Sequence, residues 1–329
     1  MRKLVLFTMV FAALFSCKIE SSKKKIGFMI PTFTVERYKK DRDIFTSRVV
    51  ELGGDVEIAN AENDDKAQYQ QAEELIAKGV DALVVIAVNQ NTAAAIVRLA
   101  HEKNVEVIAY ERLISNCELD YYIGFDHFIA GQQMAEYVAK NKPGGKCFVI
   151  GGDISDNNAV LINKGELSVI QSDKSGGVSV LHSIYIEDWD NEEAYLKMDE
   201  FLNLSMLVPD AVLVSNDGMA SGVIKSLEKH GLTGSVIVSG LDADLSACQR
   251  IVKGTQSFTI YKPFKKEAII AAEIAMLCAN HKEVVGVTST VNNKRIDVPS
   301  ILIKTTLVDA SNMKSTIIAD GFYKETEVY

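Results

Sequence analysis

The sequence predicts an α/β protein built from two doubly wound, parallel-sheet lobes of Rossmann-like form. Three observations carry this. Apolar runs of four to six residues alternate with helix-spaced stretches from residue 25 onward; the same alternation restarts after residue 140; and 329 residues suffice for two domains, each with its own core.

In the first half, KIGFMI (25–30) reads as a strand, 35–52 as a helix and DVEIA (55–59) as a strand. A helix over 66–78, the strand ALVVI (82–86), a helix over 92–103 and the strand VEVIAY (105–110) follow. A strand that is apolar at nearly every position is covered on both faces, the mark of a parallel sheet linked by crossover helices. After a helix over 127–140 the pattern resumes with KCFVIGG (146–152), a helix from Asn157, VSVLHSIYI (178–186) and a helix over 191–202. AVLVS (211–215), a helix over 218–230, SVIVSG (235–240) and a helix over 245–253 complete it. No long linker separates the halves, so the lobes are expected to face each other across short crossings.

Lys and Arg total 35 against 44 Asp and Glu, a formal net charge of −9. A nucleic-acid partner needs a basic face, and this balance argues against one. Arg2 and Lys3 precede a nearly all-apolar run, 4–15, that stops at Ser16-Cys17. The run is shorter than the roughly 20 residues of a membrane span, and its basic-apolar-small layout reads as a secretory signal peptide over 1–16 rather than a plain core helix. The ending LFSC resembles a bacterial lipobox, with Phe15 bulkier than usual, so Cys17 is expected to be lipidated and 17–24 to form a lipid-anchored tether. The remaining cysteines, Cys117, Cys147, Cys248 and Cys278, have no C-x-x-C spacing and give no support to a zinc or redox site. Cys147 and Cys278 read as small core residues, and a disulfide among the four stays open.

In open α/β sheets, ligands bind beyond the carboxyl ends of the strands, so the residues directly after each strand are the candidates. These segments hold Arg37, Glu111, Arg112, Asn158, Trp189, Asn216, Asp242 and Lys262. The triplet Asp156, Asn157 and Asn158 also exceeds what one helix cap requires. Amide, carboxylate and guanidinium groups each engage adjacent oxygens at fixed spacing, which suits a ligand made of hydroxyls. Trp189, the only tryptophan, offers a flat apolar face for sugar C–H groups. Plainer readings exist. Glu111 and Arg112 can form a surface ion pair, Lys262 before Pro263 can be a solvated loop lysine, and Trp189 can be a lid without ligand contact. Asp244 reads as a helix N-cap, and Asp217 as the cap of a helix beginning at Gly218, which leaves Asn216 to face the cleft.

An enzyme reading has little to stand on. The five histidines fall in unrelated contexts, and there is no H-E-x-x-H, G-x-S-x-G or Walker-type motif. The turn after the first strand, PTFTVER, has no glycine cradle for a nucleotide phosphate. Neither metal nor cofactor is expected, since no carboxylate loop has calcium-binding spacing.

ERYKKDRDIF (36–45), AYERLI (109–114), DNNA (156–159), SNDGMASG (215–222), SGLDADL (239–245), GTQSFTIYKP (254–263) and DGFYKE (320–325) together resemble the D-xylose-binding proteins of bacterial ABC transporters. These are type I, ribose-binding-like periplasmic binding proteins, and the likeness runs from about residue 24 to the C-terminus. It implies a two-lobed clamp hinged by three crossings and closing on one pentose. The N-terminal lobe would be 25–125 plus 262–296, and the C-terminal lobe 126–261 plus 297–329. The family's sugar-contacting positions fall on Arg37, Arg112, Asn158, Trp189, Asn216, Asp242 and Lys262. Two departures imply altered contacts on the first lobe: the family usually has aspartate where Glu111 stands and an acidic pair where Pro31-Thr32 stands. Glu111 is expected to touch the sugar directly. Sugar-responsive transcription regulators share the clamp but carry a DNA-binding helix-turn-helix where this chain has its signal. The implied partners are a monosaccharide (xylose or another pentose) and an ABC-transporter permease or, in a sensing role, a histidine kinase or chemoreceptor. The protein is expected to be a monomer on the periplasmic side of the bacterial envelope, tied to the membrane through Cys17.

Overall fold

A run whose interior is wholly apolar can satisfy its backbone in a ladder and its side chains under cover on both faces. KIGFMI does both. In the computed structural model, which describes residues 23–205, 207–287 and 289–329, it forms β1 (Lys25–Ile30), with a parallel neighbour on each side. The first lobe continues with α1 (Glu36–Glu51), β2 (Asp55–Asn60), α2 (Asp65–Ala77), β3 (Ala82–Val85), α3 (Ala94–His101), β4 (Glu106–Tyr110) and β5 (Tyr121–Phe125). The chain then crosses into the second lobe through α4 (His127–Asn141), β6 (Lys146–Gly151), α5 (Asn157–Ile170), β7 (Ser179–Tyr185) and α6 (Asn191–Leu204). There follow β8 (Ala211–Val214), α7 (Asp217–Lys229), β9 (Ile237–Val238), α8 (Leu245–Lys253) and β10 (Phe258–Tyr261). It returns for α9 (Phe264–Ala279), β11 (Ser289–Asn292) and β12 (Asp297–Ile303), and ends with β13 (Thr306–Asp309) and α10 (Glu325–Val328).

The first sheet runs β11-β12-β5-β4-β3-β1-β2, with every pairing parallel except β11 with β12. The second runs β7-β6-β8-β9, all parallel, and a Leu241–Ile260 bridge links it to the antiparallel pair β10-β13. Alternation along the strands then divides the core. Phe28, Val84 and Ile108 join the α1 and α9 side, whereas Met29, Leu83 and Val107 join the α2 and α3 side. In the second lobe, α4 and α5 meet at Gly131 and Gly165, where an added Cβ would come within 2.0 Å of the other helix's backbone. That close approach helps bury Glu166 on α5 completely.

Two expectations change. Residues 297–303 pair with β5, Ser300 opposite Tyr122 through Ile303 opposite Phe125, so they belong to the first lobe and not to the second. The antiparallel turn from β11 delivers β12 to the β5 edge of the first sheet, and the third crossing follows Ile303, where Thr305 bonds Gln133. The strand read over 235–240 shortens to Ile237–Val238 because the chain leaves the ladder to set Asp242 (φ 104°) and Ala243 (φ 55°) in left-handed conformations. Cys117, Cys147, Cys248 and Cys278 are all buried free thiols. The expected signal peptide and Cys17 lie outside the described residues.

Candidate functional site

The strand ends carry backbone devices that hold side chains in place. Asp156 caps α5 by accepting the Asn158 N–H at 2.9 Å, and Asn216 caps α7 by accepting the Met219 N–H at 2.8 Å. Trp189 ends a single 3-10 turn after β7, where Asp188 and Trp189 have φ of 53° and 56°. Its indole lies so close over Gly152 that a Cβ there would come within 2.3 Å of the ring, so only glycine leaves room. Glu111, after β4, is left-handed as well (φ 61°). Its N–H donates to the Ile123 carbonyl at 2.9 Å, and the Tyr122 hydroxyl donates to its carbonyl at 3.1 Å. Such conformations cost on the order of 1–3 kcal/mol each in non-glycine residues and gather where a ligand is held.

All eight candidate residues line one cavity of about 400 Å³ between the lobes. That volume falls within the range of roughly 300–1,000 Å³ usual for small-molecule sites. Arg37, Glu111 and Arg112 come from the first lobe and Asn158, Trp189, Asn216 and Asp242 from the second, with Lys262 on the second crossing. Asp156 also accepts from the Gln90 side chain of the first lobe at 3.0 Å, one hydrogen bond across the opening. The sequence reading did not select Tyr38, His127 or Phe264, which line the same cavity. Tyr38 and Phe264 adjoin chosen positions; His127 is the first helical residue after the first crossing, and that placement was its only signal.

The charges are paired in depth. Lys262 Nζ lies 2.8 Å from Glu111 Oε1 and 2.7 Å from Asp242 Oδ1, bridging a carboxylate of each lobe. Arg37 Nη2 donates to Glu111 Oε2 at 2.9 Å and to Glu267 Oε2 at 2.6 Å, while its Nε lies 3.2 Å from Asp41 Oδ2. The Arg37 guanidinium also stacks 3.8 Å from the Phe264 ring centroid. Burial pushes the Glu111 carboxyl up, but the Arg37 and Lys262 charges together hold it well below the usual carboxylate range. Glu267 goes the other way, pushed well up by burial and by the Glu111 charge, while Asp41 rises to about 6 through burial. Glu111 is thus the carboxylate of this group held charged most firmly, and Glu267 the one held protonated.

Several plainer readings give way. Lys262 is no solvated loop lysine: it is buried, and burial, which would lower its pKa, is outweighed by Asp242 and Glu111. Glu111 pairs with Arg37 and Lys262 instead of forming a surface pair with Arg112, whose Nη1 donates to the Ala87 carbonyl at 3.2 Å. Asn216 and Asp217 exchange roles in part: Asn216 both caps α7 and lines the cavity, whereas Asp217 turns inward. Its Oδ1 accepts from Gln256 at 2.7 Å, and its Oδ2 accepts from Thr259 at 2.9 Å and from the Asp244 N–H at 3.0 Å. This network props the left-handed Asp242 turn from beneath. Asp244 stands at the α8 N-cap position without a side-chain capping bond, and it is among the residues that line the cavity.

A polar cavity walled by two doubly wound lobes with three short crossings is the geometry of a clamp. Residues 26–283 match the periplasmic binding protein domain family. The chain belongs to the periplasmic binding proteins. This periplasmic binding protein is 39% identical over 305 residues to the D-xylose-binding periplasmic protein of Escherichia coli (strain K12), with 92% of each chain covered. It is 38% identical over 329 residues to the D-xylose-binding periplasmic protein of Haemophilus influenzae, with 99% of each covered. A solved ABC transporter solute binding protein from Clostridium phytofermentans, with bound β-D-glucose, superposes with a TM-score of 0.82 at 27% identity, covering 93% of this chain and 100% of that one. The type I fold and the resemblance to D-xylose-binding proteins read from the motifs are borne out.

Proposed function

We propose that this periplasmic binding protein captures one monosaccharide, D-xylose first among them, between its lobes and delivers it to an ABC-transporter permease. The observation that carries the reading is the convergence of planar polar groups from both lobes, with the Trp189 indole, on one cavity. The near full-length likeness to D-xylose-binding periplasmic proteins supports the choice of sugar. A ligand that touches both lobes favours their closed arrangement, because those contacts exist together only there. Titration calorimetry with a panel of pentoses and hexoses is expected to give binding at one site, strongest with xylose and unchanged by a chelator. No heat with any sugar, or strict dependence on a metal, overturns the reading.

We also infer that the protein works as a monomer held to the envelope by lipid on Cys17, with the following residues as a tether. The site and the anchor would then act independently. Cys17→Ala is expected to leave sugar affinity unchanged and to move the protein out of the membrane fraction. Retention in membranes after a high-salt wash would rule the lipid anchor out.

A further inference from the structure

His127 is 2% exposed and lines the cavity where the chain passes from β5 into α4. Its Nδ1 is buried without a hydrogen-bond partner. A buried N–H left unpaired is costly, so the proton belongs on Nε2, and Nδ1 is the bare nitrogen. Nε2 faces Glu111 Oε1 across 3.9 Å, too far for a direct hydrogen bond. One hydroxyl oxygen fits that gap, about 2.8 Å from each atom, accepting from Nε2–H and donating to the carboxylate. Burial holds the imidazole neutral, helped by Lys262 and opposed by Glu111, Asp156 and Asp242, so the donor–acceptor arrangement applies at neutral pH.

We propose that His127 Nε2 and Glu111 Oε1 together read one hydroxyl of the sugar, which makes His127 a specificity-determining residue of the cleft. This rests on the sugar-binding reading above. Glu111 supplies an acceptor only, so a carboxylate alone accepts any donor nearby; the imidazole adds the demand that the same oxygen also accept. A sugar lacking that hydroxyl leaves the His127 Nε2–H without its partner, while Glu111 Oε1 keeps Lys262 at 2.8 Å.

The test is calorimetry of wild type, His127→Leu and His127→Gln with xylose and its monodeoxy analogues. Xylose is expected to bind His127→Leu at least about tenfold more weakly than wild type, as for loss of a buried hydrogen bond to a charged-pair site. His127→Gln, whose amide can donate from a similar position, is expected to recover most of that loss. For one monodeoxy analogue, wild type and His127→Leu should bind alike, because the hydroxyl in question is already gone. Equal xylose affinity in wild type and His127→Leu overturns the proposal, as does an equal loss for every analogue, which marks a packing role. Should His127→Leu not fold, His127→Gln decides alone: a ranking of the analogues unlike that of wild type overturns the proposal. Absence of binding by wild type itself would instead remove the sugar reading and this inference with it.

Discussion

Lys262→Met is expected to destabilise the protein by about 3–5 kcal/mol at neutral pH, the cost of stripping the partner from buried charges. The ammonium contacts Glu111 and Asp242, one carboxylate from each lobe, and Met fills similar space without replacing the charge. Sugar affinity should fall about a hundredfold or more, because the same substitution unsettles both carboxylates that face the cavity. The stability loss should depend on pH in a defined direction. Glu111 is held well below its ordinary 4.5, so its pairing stabilises the folded chain above that pH and is lost as pH falls further. The gap between wild type and variant should therefore be full at neutral pH and narrow as pH falls below the ordinary 4.5, where Glu111 takes up its proton in the variant before it does in the wild type. Urea unfolding at several pH values reads this. A gap that stays constant through the acid range would mean that Lys262 stabilises by packing and not by charge.

Glu166→Gln is expected to stabilise the protein in alkali relative to its effect in mild acid. Glu166 is fully buried on α5 beside the close α4 packing, and neither carboxyl oxygen has a hydrogen bond of normal geometry. Burial pushes its pKa from 4.5 up to about 8, with the Asn163 side chain opposing. An acid whose folded pKa exceeds its unfolded one keeps its proton longer in the folded chain. Folding therefore binds protons between those two values, and stability falls as pH rises through that window. Gln has no proton to lose. From pH 5 to pH 8.5 the variant should gain roughly 4 kcal/mol on wild type, given about 1.4 kcal/mol per pKa unit. Asp217, also pushed up to about 8, titrates in both proteins and cancels in the comparison. Parallel stability curves for the two proteins would show that Glu166 finds a compensating partner.

Much of the fold was legible because it is written locally. Continuous apolar strands and helix-spaced stretches do not need distant residues to declare themselves, and the strand ends then supplied eight candidates that all line the cavity. What was illegible depended on contacts far along the chain. Asn216 and Asp217 are equally able to cap a helix, and the choice is made by Gln256 and Thr259, which take the Asp217 carboxylate inward. Lys262 before a proline looks like surface until Glu111 and Asp242 close over it from separate lobes. The lobe to which β12 belongs is decided by its pairing with β5, which no property of its own sequence announces. His127 was passed over because a single histidine at a helix start has many uses, and only the 3.9 Å gap to Glu111 gives it one.

The seat of Trp189 makes the protein its own optical probe. The chain has one tryptophan and 11 tyrosines, and that tryptophan lines the cavity above Gly152. Light absorbed by indole alone is therefore emitted from the cleft, with no contribution from a second indole elsewhere. A change in the water, hydroxyls or charges around the ring appears in the emission itself. Occupancy of the cavity is therefore expected to be readable in real time without a dye, a tag or an added cysteine, through that single ring.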